Sequence, residues 1–254
     1  MKEIKIFLSG CNGRMGKVIT EIVAEQENMT IAAGSDLRDE NTEFPVFSNA
    51  ADGAEIDFDV IIDFSHISAL PDVIALATRT QKPVVFCTTG FSESQQADIR
   101  RLSTTVPVFY SGNMSLGINL LMVLAQKAAS ILYPEFDIEI IEAHHSKKLD
   151  APSGTALMLA NAVNQAADNK LEYIYERESV RRERAKSELG IHSIRCGSII
   201  GEHSVIFAGP EETVTLSHSA QSRTVFARGA VAAARFMPNQ AAGLYTMTDL
   251  IGGV

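Results

Sequence analysis

Between Glu142 and Leu157 the sequence EAHHSKKLDAPSGTAL brings together two imidazoles, His144 and His145, two ammonium groups, Lys147 and Lys148, and the start of a helix. The β-branched run Phe136–Ala143 reads as a strand. Asp150-Ala151-Pro152-Ser153 carries the Pro and Ser that precede a helix beginning at Gly154. The residues between form a strand-to-helix loop. Backbone N–H groups at Gly154 and Thr155, at the positive end of the helix dipole, make an anion site that the lysines reinforce. Histidines titrate near neutral pH, so the loop can also give or take a proton. These residue types suit a ligand that carries several negative charges and needs a proton. A solvated polar loop is the plain alternative. No metal is expected, because Cys11, Cys87 and Cys196 are scattered and no His or Cys pair has ligand spacing. Adjacent residues of a regular strand point to opposite faces, so both imidazoles reach one pocket only at the irregular end of their strand.

A second constellation lies near the N-terminus. Gly10, Gly13 and Gly16 in GCNGRMG follow an apolar run and open an amphipathic one, as a phosphate-binding turn requires. Gly10 suits a tight turn, Gly13 lets a pyrophosphate approach the backbone, and Gly16 lets helix and sheet come close. The spacing is G-x-x-G-x-x-G, and by itself it is equally compatible with a plain glycine-rich turn. Asp36 follows the second strand, where a carboxylate would accept hydrogen bonds from the adenine ribose. Leu37 comes next and Arg38 one place later. A carboxylate repels a 2′-phosphate, and without a fixed guanidinium beside it the balance tilts toward NADH, which is expected to serve at least as well as NADPH.

Around these groups the first half alternates short strands with helices, the grammar of a parallel sheet wrapped on both faces. Strands are predicted at Ile4–Leu8, Thr30–Gly34, Val60–Phe64, Pro83–Phe86 and Val106–Tyr110, with helices at Arg14–Gln26, Ser68–Thr80 and Ser92–Leu102. This is a doubly wound, Rossmann-type α/β fold. CTTGF at Cys87–Phe91 and SGNM at Ser111–Met114 then sit at carboxyl ends of strands, the edge where such sheets bind ligands. From Ser115 a long helix runs to about Leu132, and a helix is expected from Gly154 to about Ala167. Strands follow at Ile191–Cys196, His203–Ala208 and Thr213–His218, with Gly209-Pro210 turning the last hairpin. A second α+β domain on a largely antiparallel or mixed sheet is implied. The boundaries read 1–114 with 224–254 for the dinucleotide domain and 115–223 for the substrate-binding and oligomerisation domain. Mixed charges in Tyr173–Glu188 indicate a solvated loop or helix face.

The chain has 254 residues, 46% of them hydrophobic, and a formal net charge of −9. That acidity argues against a nucleic-acid partner. No stretch approaches the roughly 20 apolar residues of a membrane span. Neither a signal-peptide pattern nor a disulfide framework is present, so a reducing cytoplasm is the expected location.

The segment from Glu142 to Ala156 resembles the signature of the dihydrodipicolinate (4-hydroxy-tetrahydrodipicolinate) reductase family, E-A-H-H-x-x-K-x-D-A-P-S-G-T-A, and matches every fixed position. The likeness extends through GCNGRMG, CTTGF, NMSLGIN at Asn113–Asn119 and GEH at Gly201–His203, nearly the full chain. It implies reduction of 4-hydroxy-tetrahydrodipicolinate, with loss of water, in the diaminopimelate route to lysine. By this resemblance His144 is the proton donor and acceptor, Lys148 a second donor, and His145 a substrate-binding residue. Gly154 and Thr155 hold a carboxylate, and Lys147, a variable position, is a surface charge. NADH or NADPH is held by Gly10, Cys11, Asn12, Gly13, Arg14, Met15 and Asp36, with Cys87, Thr88, Thr89, Ser111, Gly112, Asn113 and Met114 around the nicotinamide. Cys87 stands where many relatives have Gly, and Met114 where many have Phe. The resemblance further implies a homotetramer, a C-terminal segment packed back on the first domain, and closure of the domains in turnover. Two other readings stand beside it: another two-domain amino-acid-pathway dehydrogenase, such as a homoserine or aspartate-semialdehyde enzyme, or an NAD(H)-binding regulatory module. The semialdehyde enzyme needs a cysteine nucleophile, and no cysteine here has a convincing setting.

Overall fold

The structure, a computed structural model, describes residues 3–38 and 42–252. Two compact units divide it. One takes in the chain up to Ser115 together with Thr224–Gly252, the other runs from Leu116 to Arg223. Gly253 and Val254, expected with the first domain, lie outside the described residues.

The first unit is built on β1 (Ile4–Ser9), β2 (Met29–Ser35), β3 (Val46–Phe47), β4 (Val60–Asp63), β5 (Val84–Phe86), β6 (Pro107–Tyr110) and β12 (Gly243–Tyr245). They pair in the order β12-β6-β5-β4-β1-β2-β3, every pair parallel. Sequences such as VIID and VVF are wholly buried, because helices cover both faces of a parallel sheet. Helices α1 (Arg14–Ala24) and α6 (Thr224–Phe236) join one core with Ile6, Leu8 and Ile62. Helices α2 (Leu70–Thr80) and α3 (Glu93–Leu102) join another with Phe7, Phe58 and Phe86. A short α7 (Met247–Ile251) closes the unit. Ser92, predicted inside α3, is its N-cap: its hydroxyl accepts from Gln95 N–H and the Gln95 side chain accepts from Ser92 N–H, a capping box.

The second unit holds the long α4 (Leu116–Leu132) and α5 (Gly154–Ala166), with a mixed sheet ordered β11-β10-β7-β9-β8. Its strands are β7 (Asp137–His144), β8 (Glu172–Ile174), β9 (Glu188–Arg195), β10 (Gly201–Ala208) and β11 (Thr213–Ala220). β7–β9 and β8–β9 are parallel, and β10 runs antiparallel to both β7 and β11. Ile138, Ile140, Leu189, Val205 and Phe207 on the sheet meet Leu121, Leu159 and Val163 on the helices.

Tyr173–Glu188 is exposed for most of its length, as its mixed charges predict, but its ends are strand residues, Glu188 is 1% exposed, and Arg177 and Arg184 fold onto the sheet. Arg184 pairs with Asp137 at 2.9 Å and Glu139 at 3.1 Å, and Arg177 with Glu188 at 2.5 Å. Carboxylates on β7 and β9 recruit the arginines that a charge count assigns to solvent.

Candidate active site

In the first unit, β1 and its neighbour β4 lie where the strand order reverses, so the loops after them diverge and leave a crevice at the sheet's carboxyl edge. Gly10 has φ +81°, and a Cβ there would lie 2.5 Å from the Phe64 carbonyl oxygen. A Cβ on Gly16 would lie 2.2 Å from the Gly10 oxygen. Only glycine allows this turn and this approach of helix to strand. Gly13 caps α1 without a side-chain hydrogen bond, which leaves the helix terminus as a backbone anion site. A cavity of about 340 Å³ opens there, lined by Gly10, Gly13, Asp36, Arg38, Ser65 and His66 among others. The Asp36 carboxylate accepts from the N–H groups of Asn12 and Arg38, each at 3.0 Å. Asn12 Nδ2 donates to the Arg38 carbonyl at 2.7 Å, and the Arg38 guanidinium reaches the Asn12 carbonyl at 3.4 Å. The turn after β1 and the turn after β2 are thus tied together.

The other predicted dinucleotide contacts follow β5 and β6 at the same edge. Cys11, Cys87 and Met114 are buried in the core between sheet and helices. Burial and the nearby Asp63 push the Cys87 thiol well up, which makes it a poor nucleophile. Thr88 is buried and Thr89 exposed. Ser111 Oγ donates to the Asn113 carbonyl at 3.2 Å, and Asn113 Oδ1 accepts from Ser115 N–H at 2.8 Å, which shapes the loop that carries Gly112. Arg14 is exposed and Met15 half-buried at the start of α1. The cradle, the helix terminus and the ribose-edge carboxylate fit a dinucleotide. Sequence reasoning passed over Ser65 and His66, although they directly follow β4 and a count of every strand's carboxyl end would have found them.

In the second unit, His144 is the last residue of β7 and His145 leaves the ladder, donating its N–H to the Ile199 carbonyl at 2.7 Å. The regular pleat ends between the two imidazoles, at the irregularity the sequence demanded. Lys148 Nζ pairs with Asp150 at 2.9 Å and is half-buried, while Lys147 is exposed. Ser153 caps α5: its hydroxyl accepts from Ala156 N–H at 3.2 Å and shares a hydrogen bond with His203 Nε2 at 3.1 Å. Gly154 and Thr155 form the first turn of that helix. All five residues predicted for proton transfer and substrate therefore sit on β7, α5 and the loop between them.

Two further groups enter, Glu142 and His203, both within motifs of the family resemblance but with contacts that no local pattern identified. Glu142, wholly buried, accepts from Arg195 twice, at 2.6 and 2.8 Å, and from Ser153 N–H at 3.1 Å, and it meets His144 Nδ1 at 2.6 Å. His203 stands edge-on to His144 with ring centroids 5.2 Å apart. Burial alone would raise the Glu142 carboxyl, but hydrogen bonds from Arg195, His144, Ser193 and the Ser153 backbone overcome it and hold its pKa at about 2. Burial lowers His144, against the pull of Glu142 and with Lys148 and Arg195 adding to the decrease. Burial also takes His203 down to about 4. The arrangement is a neutral imidazole on an ionised, arginine-clamped carboxylate, beside a lysine and a helix N-terminus. Among the described residues, no group of three His, Cys, Asp or Glu side chains is arranged to hold a metal.

A seven-stranded parallel dinucleotide fold, joined to a mixed-sheet unit that carries His144, His145 and Lys148, defines a two-domain oxidoreductase of the pyridine-nucleotide class. Residues 4–114 match the family described as "Dihydrodipicolinate reductase, N-terminus" and residues 117–251 the one described as "Dihydrodipicolinate reductase, C-terminus". The chain is 48% identical over 248 residues to the 4-hydroxy-tetrahydrodipicolinate reductase of Caldanaerobacter subterraneus subsp. tengcongensis, covering 98% of each chain. It is 47% identical over 250 residues to that of Clostridium botulinum, again covering 98% of each. Among solved structures, the dipicolinate-bound dihydrodipicolinate reductase from Paenisporosarcina sp. TG-14 superposes with a TM-score of 0.80 at 28% identity, over 98% of this chain and 99% of that one. The chain belongs to the dihydrodipicolinate reductase family. Fold and family together imply a pyridine nucleotide as cofactor.

Proposed function

We propose that the protein reduces 4-hydroxy-tetrahydrodipicolinate to tetrahydrodipicolinate in the diaminopimelate route to lysine. The observation that carries this reading is the meeting of His144 and the α5 N-cap Ser153 on one arginine-clamped carboxylate, at the end of the loop that carries His145 and Lys148. A planar ring with two carboxylates matches that set. Gly154 and Thr155 hold one carboxylate by backbone N–H groups, and His145 and Lys148 meet the remaining negative charge. The 4-hydroxyl leaves as water together with a hydrogen from the adjoining ring carbon, which gives a conjugated cyclic imine, and a reduced dinucleotide, when bound, would supply hydride to its C4. The substrate is left as an enamine that takes one proton at the neighbouring carbon, and His144, seconded by Lys148, delivers it. One substrate, one NAD(P)H and one proton give one product, one NAD(P)⁺ and one water.

Support for NADH comes from Asp36, whose charge stands at the ribose edge, and from Arg38, whose guanidinium is turned to the Asn12 carbonyl. The dinucleotide is held by Gly10–Met15, Asp36 and the loops at Cys87–Thr89 and Ser111–Met114. By the same reading the enzyme is a cytoplasmic homotetramer.

The test follows NADH and NADPH oxidation with freshly formed synthase product, against the aldehyde precursor of homoserine as control. Turnover of the former alone is expected, with kcat/KM for NADH at least equal to that for NADPH. Turnover of the aldehyde alone, or binding of NADH without turnover, refutes the activity. An advantage of about tenfold or more for NADPH refutes the cofactor preference.

A further inference from the structure

Glu142 is completely buried, and the reading above gives it no contact with substrate. Its oxygens meet Arg195, His144, Ser193 and the Ser153 N–H. Oε2 faces His144 Nδ1 at 2.6 Å and accepts from Arg195 Nη1 at 2.8 Å, and Oε1 accepts from Arg195 Nη2 at 2.6 Å and from Ser153 N–H at 3.1 Å. An ionised carboxylate can only accept, so the hydrogen in the 2.6 Å contact belongs to His144 Nδ1. Nε2 is then the one ring nitrogen able to exchange a proton. Room for that exchange is left by Gly201, since a side chain there would begin 3.2 Å from Nε2.

We infer that Glu142 is the positioning residue of the reaction: it locks His144 as the Nδ1–H tautomer and directs Nε2 to the substrate, while Arg195 keeps Glu142 ionised. The inference rests on the reading that His144 transfers the proton. It also changes what His144 does in a cycle. At rest Nε2 carries a lone pair, so the ring must first take a proton from solvent at Nε2. It then donates that same proton to the substrate carbon and returns to the Nδ1–H form. One proton enters and one leaves per turnover. The charged and titratable groups facing the ring are Glu142 on its own strand, Lys148 in the loop, Arg195 on β9 and His203 on β10. Only Glu142 among them favours the transient imidazolium.

The test is long-range ¹H–¹⁵N correlation of the imidazoles, with His144 assigned by loss of its signals in His144→Gln, together with kinetics of Glu142→Gln and Glu142→Asp. In the unsubstituted protein at rest His144 is expected protonated at Nδ1. In Glu142→Gln the guanidinium claims the amide oxygen, the amide nitrogen faces Nδ1, and the hydrogen moves to Nε2. There kcat is expected to fall about a hundredfold, while pyridine-2,6-dicarboxylate, measured by calorimetry, binds within about threefold of normal. Glu142→Asp is expected to restore the Nδ1–H signature and most of the rate. A resting ring protonated at Nε2 in the unsubstituted protein overturns the inference, even if neither Glu142 variant folds. So does a Glu142→Gln spectrum with the tautomer unchanged. A changed tautomer with full kcat instead removes His144 from proton transfer and overturns Glu142's part in the reaction, leaving only the tautomer lock.

Discussion

Lys147 and Lys148 differ by one position and share a charge, yet the fold treats them differently. Lys148 is half-buried with its ammonium 2.9 Å from Asp150, and Lys147 stands in solvent. An ammonium held beside the proton donor can oppose charge as it develops on the substrate, whereas a solvated one is screened. Lys148→Ala is therefore expected to lower kcat at least about tenfold more than Lys147→Ala in steady-state assays, and equal losses would refute the assignment. At this scale the two imidazoles, the lysine and the helix start were legible, because they are close in sequence and their types are unusual together. The pairing of Glu142 with Arg195 was not, because it spans 53 positions and exists only through strand register. β7 and β9 run parallel with His144 opposite Arg195, which brings the guanidinium under the carboxylate two residues back. His203 likewise arrives by pairing opposite Glu142 across β7 and β10. No spacing rule sees either.

At the scale of elements, α6 shows how a segment remote in sequence shapes a ligand loop. Gly229 lies in its interior, where glycine normally costs up to about 1 kcal/mol relative to alanine. Here a Cβ would lie 1.7 Å from the Met114 carbonyl oxygen, at the end of the SGNM loop. A collision with backbone outweighs the gain in helix propensity, so Gly229→Ala is expected to destabilise by about 1–3 kcal/mol, lowering the melting temperature by several degrees. Gly154→Ala, where a Cβ meets nothing within 4 Å, is expected to melt unchanged. Thermal unfolding of the two variants checks the pair, and a Gly229→Ala protein as stable as the parent would disprove the packing argument. The predicted strands and helices are present with shifted ends. What escaped were the five-residue α7 and the strands β3, β8 and β12, two or three residues each. Such short runs carry no periodicity, and the strands form only because an exposed sheet edge offers them partners.

For the molecule as a whole, the buried acid–base groups set how it responds to acid. Burial holds His203 at about 4, below its ordinary 6.5. As pH falls the unfolded chain takes its proton first, so this contribution is complete above about pH 6.5 and lost on the way down to 4, roughly 3 kcal/mol in all. Glu142, held at about 2 against an ordinary 4.5, is the carboxylate case: its stabilisation is present above about 4.5 and lost as pH falls toward 2. Acid unfolding should therefore begin with the histidine, before Glu142 titrates. Denaturant midpoints measured between about pH 7 and pH 5 should fall clearly in the parent protein and much less in His203→Gln. Equal slopes would locate the proton uptake elsewhere. None of this was readable from the sequence, where His203 is one histidine among six and its burial depends on the sheet being assembled.

The division of the chain has one more outcome, in time rather than space. Because Thr224–Gly252 belongs to the unit that begins at the N-terminus, and Leu116–Arg223 forms a unit of its own, order of synthesis and order of completion are inverted. As the polypeptide leaves the ribosome, the later-made middle can finish first, with all its strands already in hand. The Rossmann sheet must wait, with the β6 edge and the core surface of α1 uncovered, until the last segment supplies β12 and α6. The nascent N-terminal half is thus the stretch most in need of chaperone protection during translation.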